Sequence, residues 1–363
     1  IQMPFPFQCC CVAKSGRSDV YIAAPDAQPT TAASKADTND NGTTTIPAAP
    51  APPKYSWDLR RSEAVDMSRF RVSDIDGDFV KRDDINGQQL TIDNCKRAVI
   101  AVLDVTGSVV IDDCVDCTFV VGPCNGSLFI RNSTNCRLFY VGQQFRLRDC
   151  RDMDIAIHCR TQPIIESAST IRFYPLNLNY PGLYDQLILV GLSAFGVGTR
   201  NVHDYTPTPG SRNYQLCNDE LRMDLASVRE LRRAAGISLD FVDSIFIQRH
   251  DVARNEPRVL VMAVQRSFER HADFYRACYD AAKAAQQSGV KFADVAEGTI
   301  DEELGDALKD DFAAGLGSRV IVLDVAGDTK EVSGLVDASS DPPKPFRRVP
   351  TRYANQLRER FFG

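Results

Sequence analysis

The chain has 363 residues, a net charge of −6 and a pI near 5.4, a balance that disfavours general nucleic-acid binding. Its apolar fraction of 44% supports real cores, and it has no run of eighteen apolar residues that would form a membrane-spanning helix. A chain of this length is expected to fold as two or three domains.

The N-terminal segment carries the apolar stretch MPFPF and three consecutive cysteines, Cys9, Cys10 and Cys11. It lacks the charged-then-apolar design of a secretory signal. The 12 cysteines are therefore expected as reduced cytosolic thiols rather than a disulfide framework. Cys9, Cys10 and Cys11 beside an apolar stretch are candidate palmitoylation sites; the competing reading is an unmodified tail. Residues 12–52 are rich in Ala, Pro, Thr, Ser and Asp and cannot bury enough apolar surface to offset their ordering entropy. The segment 1–51 is thus predicted to be disordered. Folded structure is expected from 52, near SWDLR at 56–60, which holds the only Trp.

From residue 87 the chain repeats. Ile92, Ile111, Ile130, Leu147 and Ile165 recur at spacings of 19, 19, 17 and 18, each inside a short alternating strand. A second apolar strand follows most of them. Two strands per repeat at this period predict stacked coils of a parallel β-helix. Equivalent residues should then lie roughly 4.8 Å apart in columns. Cys95, Cys114, Ser133 and Cys150 form one column at a tight corner, where small side chains fit. Cys114-Val-Asp-Cys117, with Cys124 and Cys136 at irregular spacing, is a poor zinc pattern, and no metal site is expected.

Two segments are near twins: GQQLTIDNC at 87–95 and GQQFRLRDC at 142–150. Thr91 and Asp93 of the first become Arg146 and Arg148 of the second. If Phe145 and Leu147 point into the coil, both arginines point out. The column through Arg148 reads Asp93, Asp112, Arg131, Arg148, Glu166 and suits a surface ion-pair ladder, in which Glu166 would pair with Arg148. The column through Arg146 reads Thr91, Val110, Phe129, Arg146, Ile164 and offers that arginine no acid.

The coils end in an aromatic, Pro-rich stretch, which closes a domain predicted at 52–209. Residues 210–257, with the charged helical stretch MDLASVRELRRAAG, are expected to be a connector. An α/β domain is predicted at 258–336: strand RVLVMAV, an amphipathic helix, strand VKFADVA, a second helix and strand SRVIVLDVAG. Residues 337–363 are expected to be a basic tail with Arg347, Arg348, Arg352, Arg358 and Arg360.

SWDLR, GPCNGSLFIRN at 122–132, GQQFRLRDC, TQPIIES at 161–167 and HDYTP at 203–207 together resemble the tubulin cofactor C domain family, in its retinitis pigmentosa branch. The similarity covers 52–336. It implies a mainly β plus α/β chain: a right-handed parallel β-helix followed by a ferredoxin-like, nucleoside-diphosphate-kinase-like α/β domain. It also implies a GTPase-activating protein for an Arf-like small GTPase, in trafficking of lipidated proteins to the cilium or a membrane. Arg146 would be the arginine finger supplied in trans, with Gln143 holding the active arrangement. Gly126, Ser127, Gln143, Gln144, Phe145 and Arg146 would face the GTP. Arg148, Glu166 and Tyr205 would bind the partner. The chain would need no cofactor of its own, since GTP and Mg belong to the partner. Cytoplasmic location with peripheral membrane or ciliary-base association follows from the same resemblance.

The chemistry agrees with this resemblance. Phosphoryl transfer needs charge stabilisation more than covalent participation, and an outward, unneutralised guanidinium on rigid structure supplies it. Kinase activity is not expected: the α/β domain holds one histidine, His271, outside any kinase-like motif. The alternatives are a tubulin-folding cofactor acting on tubulin GTP, and a non-catalytic β-helix scaffold. The myristoylation pattern is absent, because Pro4 follows Met3.

Overall fold

The computed structural model describes residues 67–195, 201–247, 249–250, 252–253, 255–265, 270–312, 316–327, 332–336 and 345–362. The predicted disordered segment 1–51, the three N-terminal cysteines and SWDLR lie outside the described residues.

A parallel β-helix forms the first part. One of its sides stacks β1 (Arg71–Ser73), β3 (Gln89–Asp93), β5 (Ser108–Asp112), the second half of β6 (Thr118–Arg131), the second half of β7 (Arg137–Arg148), β9 (Ile164–Glu166) and β11 (His203–Asp204). The other stacks β2 (Phe79–Arg82), β4 (Val99–Val102), the first halves of β6 and β7, β8 (Arg151–Cys159), β10 (Ser169–Pro175) and β12 (Tyr214–Leu216). Every pairing is parallel. The register puts Ile92, Ile111, Ile130, Leu147 and Ile165 in one column, each at most 1% exposed. The columns Thr91–Val110–Phe129–Arg146–Ile164 and Asp93–Asp112–Arg131–Arg148–Glu166 are present as predicted.

The coil corner has a clear chemical cause. Asn94, Asp113, Asn132 and Asp149 precede the Cys95, Cys114, Ser133, Cys150 column, and all adopt the left-handed region, with φ of 51°, 55°, 49° and 52°. Asn and Asp tolerate that conformation best among residues with a Cβ. The column residue then turns inward and donates to the carbonyl two residues back: Cys95 at 3.3 Å, Cys114 at 3.2 Å, Ser133 at 2.8 Å and Cys150 at 3.1 Å. Burial pushes the Cys150 thiol up to about 11, which keeps it protonated and inert.

The second side of the β-helix is apolar on both faces. Ala101, Val120, Phe139 and Ala156 point outward yet are fully buried, because other chain covers them. The cover is α1 (Leu183–Leu189), α2 (Leu225–Ala235) and the loops carrying Leu176, Leu221, Ile237 and Phe246. The β-helix unit therefore does not end at 209. Strand β12 completes its sheet and the segment predicted as a connector is part of its core. A fragment ending at 209 is expected to aggregate, whereas one ending at 247 should fold. Circular dichroism and size exclusion of the two fragments check this; a monomeric, cooperatively melting shorter fragment would contradict it.

The last part holds β13 (Arg258–Val264), α3 (His271–Gln287), β14 (Phe292–Thr299), α4 (Glu302–Phe312), β15 (Arg319–Ala326), α5 (Ser333–Val336), β16 (Arg347–Arg348) and α6 (Thr351–Phe362). The sheet runs in the order β14-β15-β13-β16, with antiparallel pairing throughout. The segment 337–363, predicted as a basic tail, instead supplies the edge strand β16 and the packed helix α6. Arg347 and Arg348 stay exposed on β16, whereas Arg352, Arg358 and Arg360 form ion pairs with Asp311, Asp324 and Asp301. Arg358 grips Asp324 through two bonds of 3.0 and 2.8 Å, and that carboxylate is only 2% exposed.

The two parts share polar and apolar contacts. Ser193 donates to Glu297, and Phe195 enters the core between the sheet of the α/β unit and α3. His158 on β8 is buried, donates through Nε2 to the Ser193 carbonyl at 2.7 Å, and stacks on Phe246 at 4.4 Å. Burial pushes its pKa down to about 4 from an ordinary 6.5. The unfolded chain gains this proton below about pH 6.5 and the folded chain only near 4. The contribution to stability is whole above pH 6.5 and fades as pH falls to 4, a loss of roughly 3 kcal/mol. The variant His158→Gln should flatten that part of the acid limb in denaturant titrations; an unchanged pH profile would refute it.

Candidate functional site

Arg146 sits in the second half of β7, between Phe129 on one neighbouring coil and Ile164 on the other. Its flanking residues Phe145 and Leu147 are each 1% exposed and anchor the strand from inside. Phe145 packs against Tyr140 and, edge-on, against Phe173, both with centroids at 6.1 Å. The guanidinium is exposed and makes no hydrogen bond or ion pair with any other described residue.

Other arginines on the same side differ in this respect. Arg71 binds Asp93 bidentately at 2.9 and 2.7 Å, and Arg131 binds Asp112 through two bonds, Nε at 2.7 Å. Arg148 pairs with its chain neighbour Asp149 at 3.1 Å. The expected Arg148–Glu166 ion pair is not formed, although the two are register partners. The adjacent Asp149, held in the left-handed region, reaches Arg148 first. Glu166 thus keeps its carboxylate at the surface beside Arg148.

A shallow cleft of about 370 Å³ surrounds Arg146, lined by Gln144, Phe145, Thr161, Gln162, Ile164, His203 and Tyr205. Tyr205 is 62% exposed and meets His203 edge to face at 4.5 Å. The β9–β11 pairing brings this aromatic pair, distant from Arg146 in sequence, onto the Arg146 face. Gln144 joins from the same strand, two residues before Arg146, so strand alternation gives both one face. Ser127 donates to Gln144 Oε1 at 2.9 Å, which leaves the amide nitrogen as the free end of that side chain.

Of the predicted site residues, Gln143 and Gly126 do not line the cleft, and Phe145 reaches it only from the interior. Gln143 donates from Nε2 to the Val190 carbonyl at the end of α1, at 3.0 Å. Its own carbonyl accepts from Thr161 N at 3.1 Å and Oγ1 at 3.0 Å. It fastens the strand and does not line the cleft. The Phe145 ring is interior, so it supports Arg146 from behind and has no exposed face for a nucleotide. Gly126 has a structural reason to be glycine: a Cβ there would stand 2.3 Å from the Gly107 carbonyl of the neighbouring coil. The room left by its missing side chain is already taken. His203, Thr161 and Gln162 are cleft residues that sequence reasoning missed; TQPIIES and HDYTP contain them, and only coil stacking places both beside β7.

The family Tubulin binding cofactor C matches residues 87–205. The chain is similar to Protein XRP2 of Danio rerio, 37% identical over 209 residues, covering 57% of this chain and 55% of that protein. It is also similar to Protein XRP2 of Homo sapiens, 40% identical over 171 residues, 47% of this chain and 48% of that one. Tubulin-folding cofactor C of Arabidopsis thaliana is 31% identical over 114 residues, 31% of this chain and 33% of that one. The chain thus spans about half the length of the curated XRP2 relatives it matches.

Proposed function

From the match of residues 87–205 to the tubulin binding cofactor C family we propose that this chain is a GTPase-activating protein for an Arf-like small GTPase. The observation that carries the reading is Arg146: an exposed guanidinium with no partner among the described residues, backed by interior Phe145 and Leu147, at the floor of a cleft with an exposed aromatic at its rim. A planar, permanently charged fork held on stacked coils matches what a phosphoryl-transfer transition state needs from a partner protein. Gln144 lies beside it with an amide N–H to donate to a phosphate oxygen. Tyr205, Arg148 and Glu166 supply aromatic and charged contacts for the GTPase surface. GTP and Mg are held by the GTPase, and this chain contributes no cofactor.

The longer and higher-identity matches to Protein XRP2 favour this reading over action on tubulin GTP, the second reading, which the cofactor C relatives motivate. The sheet order β14-β15-β13-β16 supports a ferredoxin-like, nucleoside-diphosphate-kinase-like assignment for the α/β unit. We read that unit as non-catalytic. His271 gives Nδ1 to Gln265 at 3.1 Å and packs its ring on Tyr275. Cytoplasmic location with membrane or ciliary-base attachment through palmitoylated Cys9, Cys10 or Cys11 belongs to the same proposal.

The test is single-turnover GTP hydrolysis by a panel of Arf-like GTPases, and by tubulin, with this protein added. Acceleration of at least one Arf-like GTPase is expected. Acceleration of tubulin alone would move the function to the second reading.

A further inference from the structure

A second cleft, of about 430 Å³, lies between the last coils of the β-helix and the α/β unit, and shares no lining residue with the Arg146 cleft. Its volume is that of a small-molecule site, and junctions between structural units are where such sites concentrate. One wall carries Tyr174, Leu216 and His158; the other carries His250, Arg249 and Arg258. An irregularity in β14 between Phe292 and Asp294 interrupts the pairing at this wall.

Three features give the cleft the character of a binding site. First, His250 Nδ1 is buried and, among the described residues, meets no partner in hydrogen-bond geometry. Buried polar atoms are nearly always satisfied, so an orphan lining a cavity points to a missing group. His158 adds a second nitrogen: with Nε2 donating to the Ser193 carbonyl, its Nδ1 is left as an acceptor. Second, part of an otherwise polar lining is ring and aliphatic surface. The His158 ring lies against Phe246 at 37°, and Leu216 is 41% exposed. Third, the charge does not balance. Asp324 already takes two bonds from Arg358, and Arg258 stands 3.6 Å from the same carboxylate. Among the described residues, two guanidinium groups share one carboxylate, which leaves one positive charge over at the mouth. Arg249 is balanced by Asp294 at 3.3 Å.

We propose that this cleft binds a small aromatic monoanion, an aryl carboxylate, with its ring against the His158–Phe246 pair and Leu216 and its carboxylate at Arg258. An amphiphile with a flexible chain would gain less from flat ring walls. The inference is independent of the reading of the Arg146 cleft.

The test uses the full chain with 1-naphthoate as probe and dodecanoate as the competing chemistry, read by calorimetric titration and thermal shift. Saturable binding of one 1-naphthoate per chain is expected, with a rise in melting temperature. Arg258→Gln should weaken that binding at least tenfold while Arg358 still holds Asp324. His250→Phe should raise the melting temperature of the ligand-free protein and reduce the ligand-induced rise, an opposite pair that simple damage to the fold cannot produce. Absence of saturable binding, affinity unchanged in Arg258→Gln, or preference for dodecanoate would overturn the proposal.

Discussion

Arg146→Ala is expected to lower GTPase activation by about 10³–10⁵-fold, the range that an arginine finger contributes. The GTP-bound partner should still bind, because a finger acts on charge that develops in the transition state and adds less to the ground state. Arg146→Lys should not restore activity, since an ammonium cannot reproduce the forked guanidinium geometry. The fold should be unaffected: the side chain is exposed and forms no bond with the described residues, and the equivalent position three coils earlier, reached through Phe129 and Val110, is Thr91. Tyr205→Ala is the contrasting variant. Loss of an exposed rim aromatic should weaken affinity by a kcal/mol or more, roughly tenfold, and leave the saturating rate intact. One titration of activator at fixed GTPase separates rate from affinity. Near-full activation by Arg146→Ala, or a loss traced only to affinity, would sink the finger mechanism.

Arg358→Ala is expected to destabilise the α/β unit by about 3 kcal/mol, toward the low end of the range for breaking a buried ion pair. The Asp324 carboxylate is 2% exposed and would keep only Arg258, at 3.6 Å. The same bond carries α6, whose Phe361 packs so closely on β14 that a Cβ at Gly298 would meet its ring at 2.5 Å. Gly298→Val should therefore loosen α6 without touching the ion pair. Denaturant titration gives the magnitude, and hydrogen exchange should show lost protection in 351–362 for both variants. A change below about 1 kcal/mol for Arg358→Ala would mean that the helix is held by packing alone. The prediction separates this segment from a solvated basic tail, in which the loss of one arginine would scarcely register.

The sequence by itself determined the β-helix, its register and the outward place of Arg146. Repetition did this: a residue that recurs every seventeen to nineteen positions must stack on its own kind, and strand alternation then assigns each side chain to a face. The corners were legible too, since an Asn or Asp before each small column residue marks the left-handed turn. Tertiary structure alone decided which neighbours those side chains meet. Gln143 is adjacent to Gln144 in sequence, yet its amide is drawn to Val190, a partner that only the return of α1 over the second sheet provides. His203 and Tyr205 reach Arg146 through the β9–β11 pairing, which no local pattern specifies. The composition of 337–363 also misled, because arginines read as solvated charge until a buried acid is found for one of them. Periodicity records local stacking, whereas ion pairs and cleft walls depend on contacts between segments far apart in the chain, which composition does not encode.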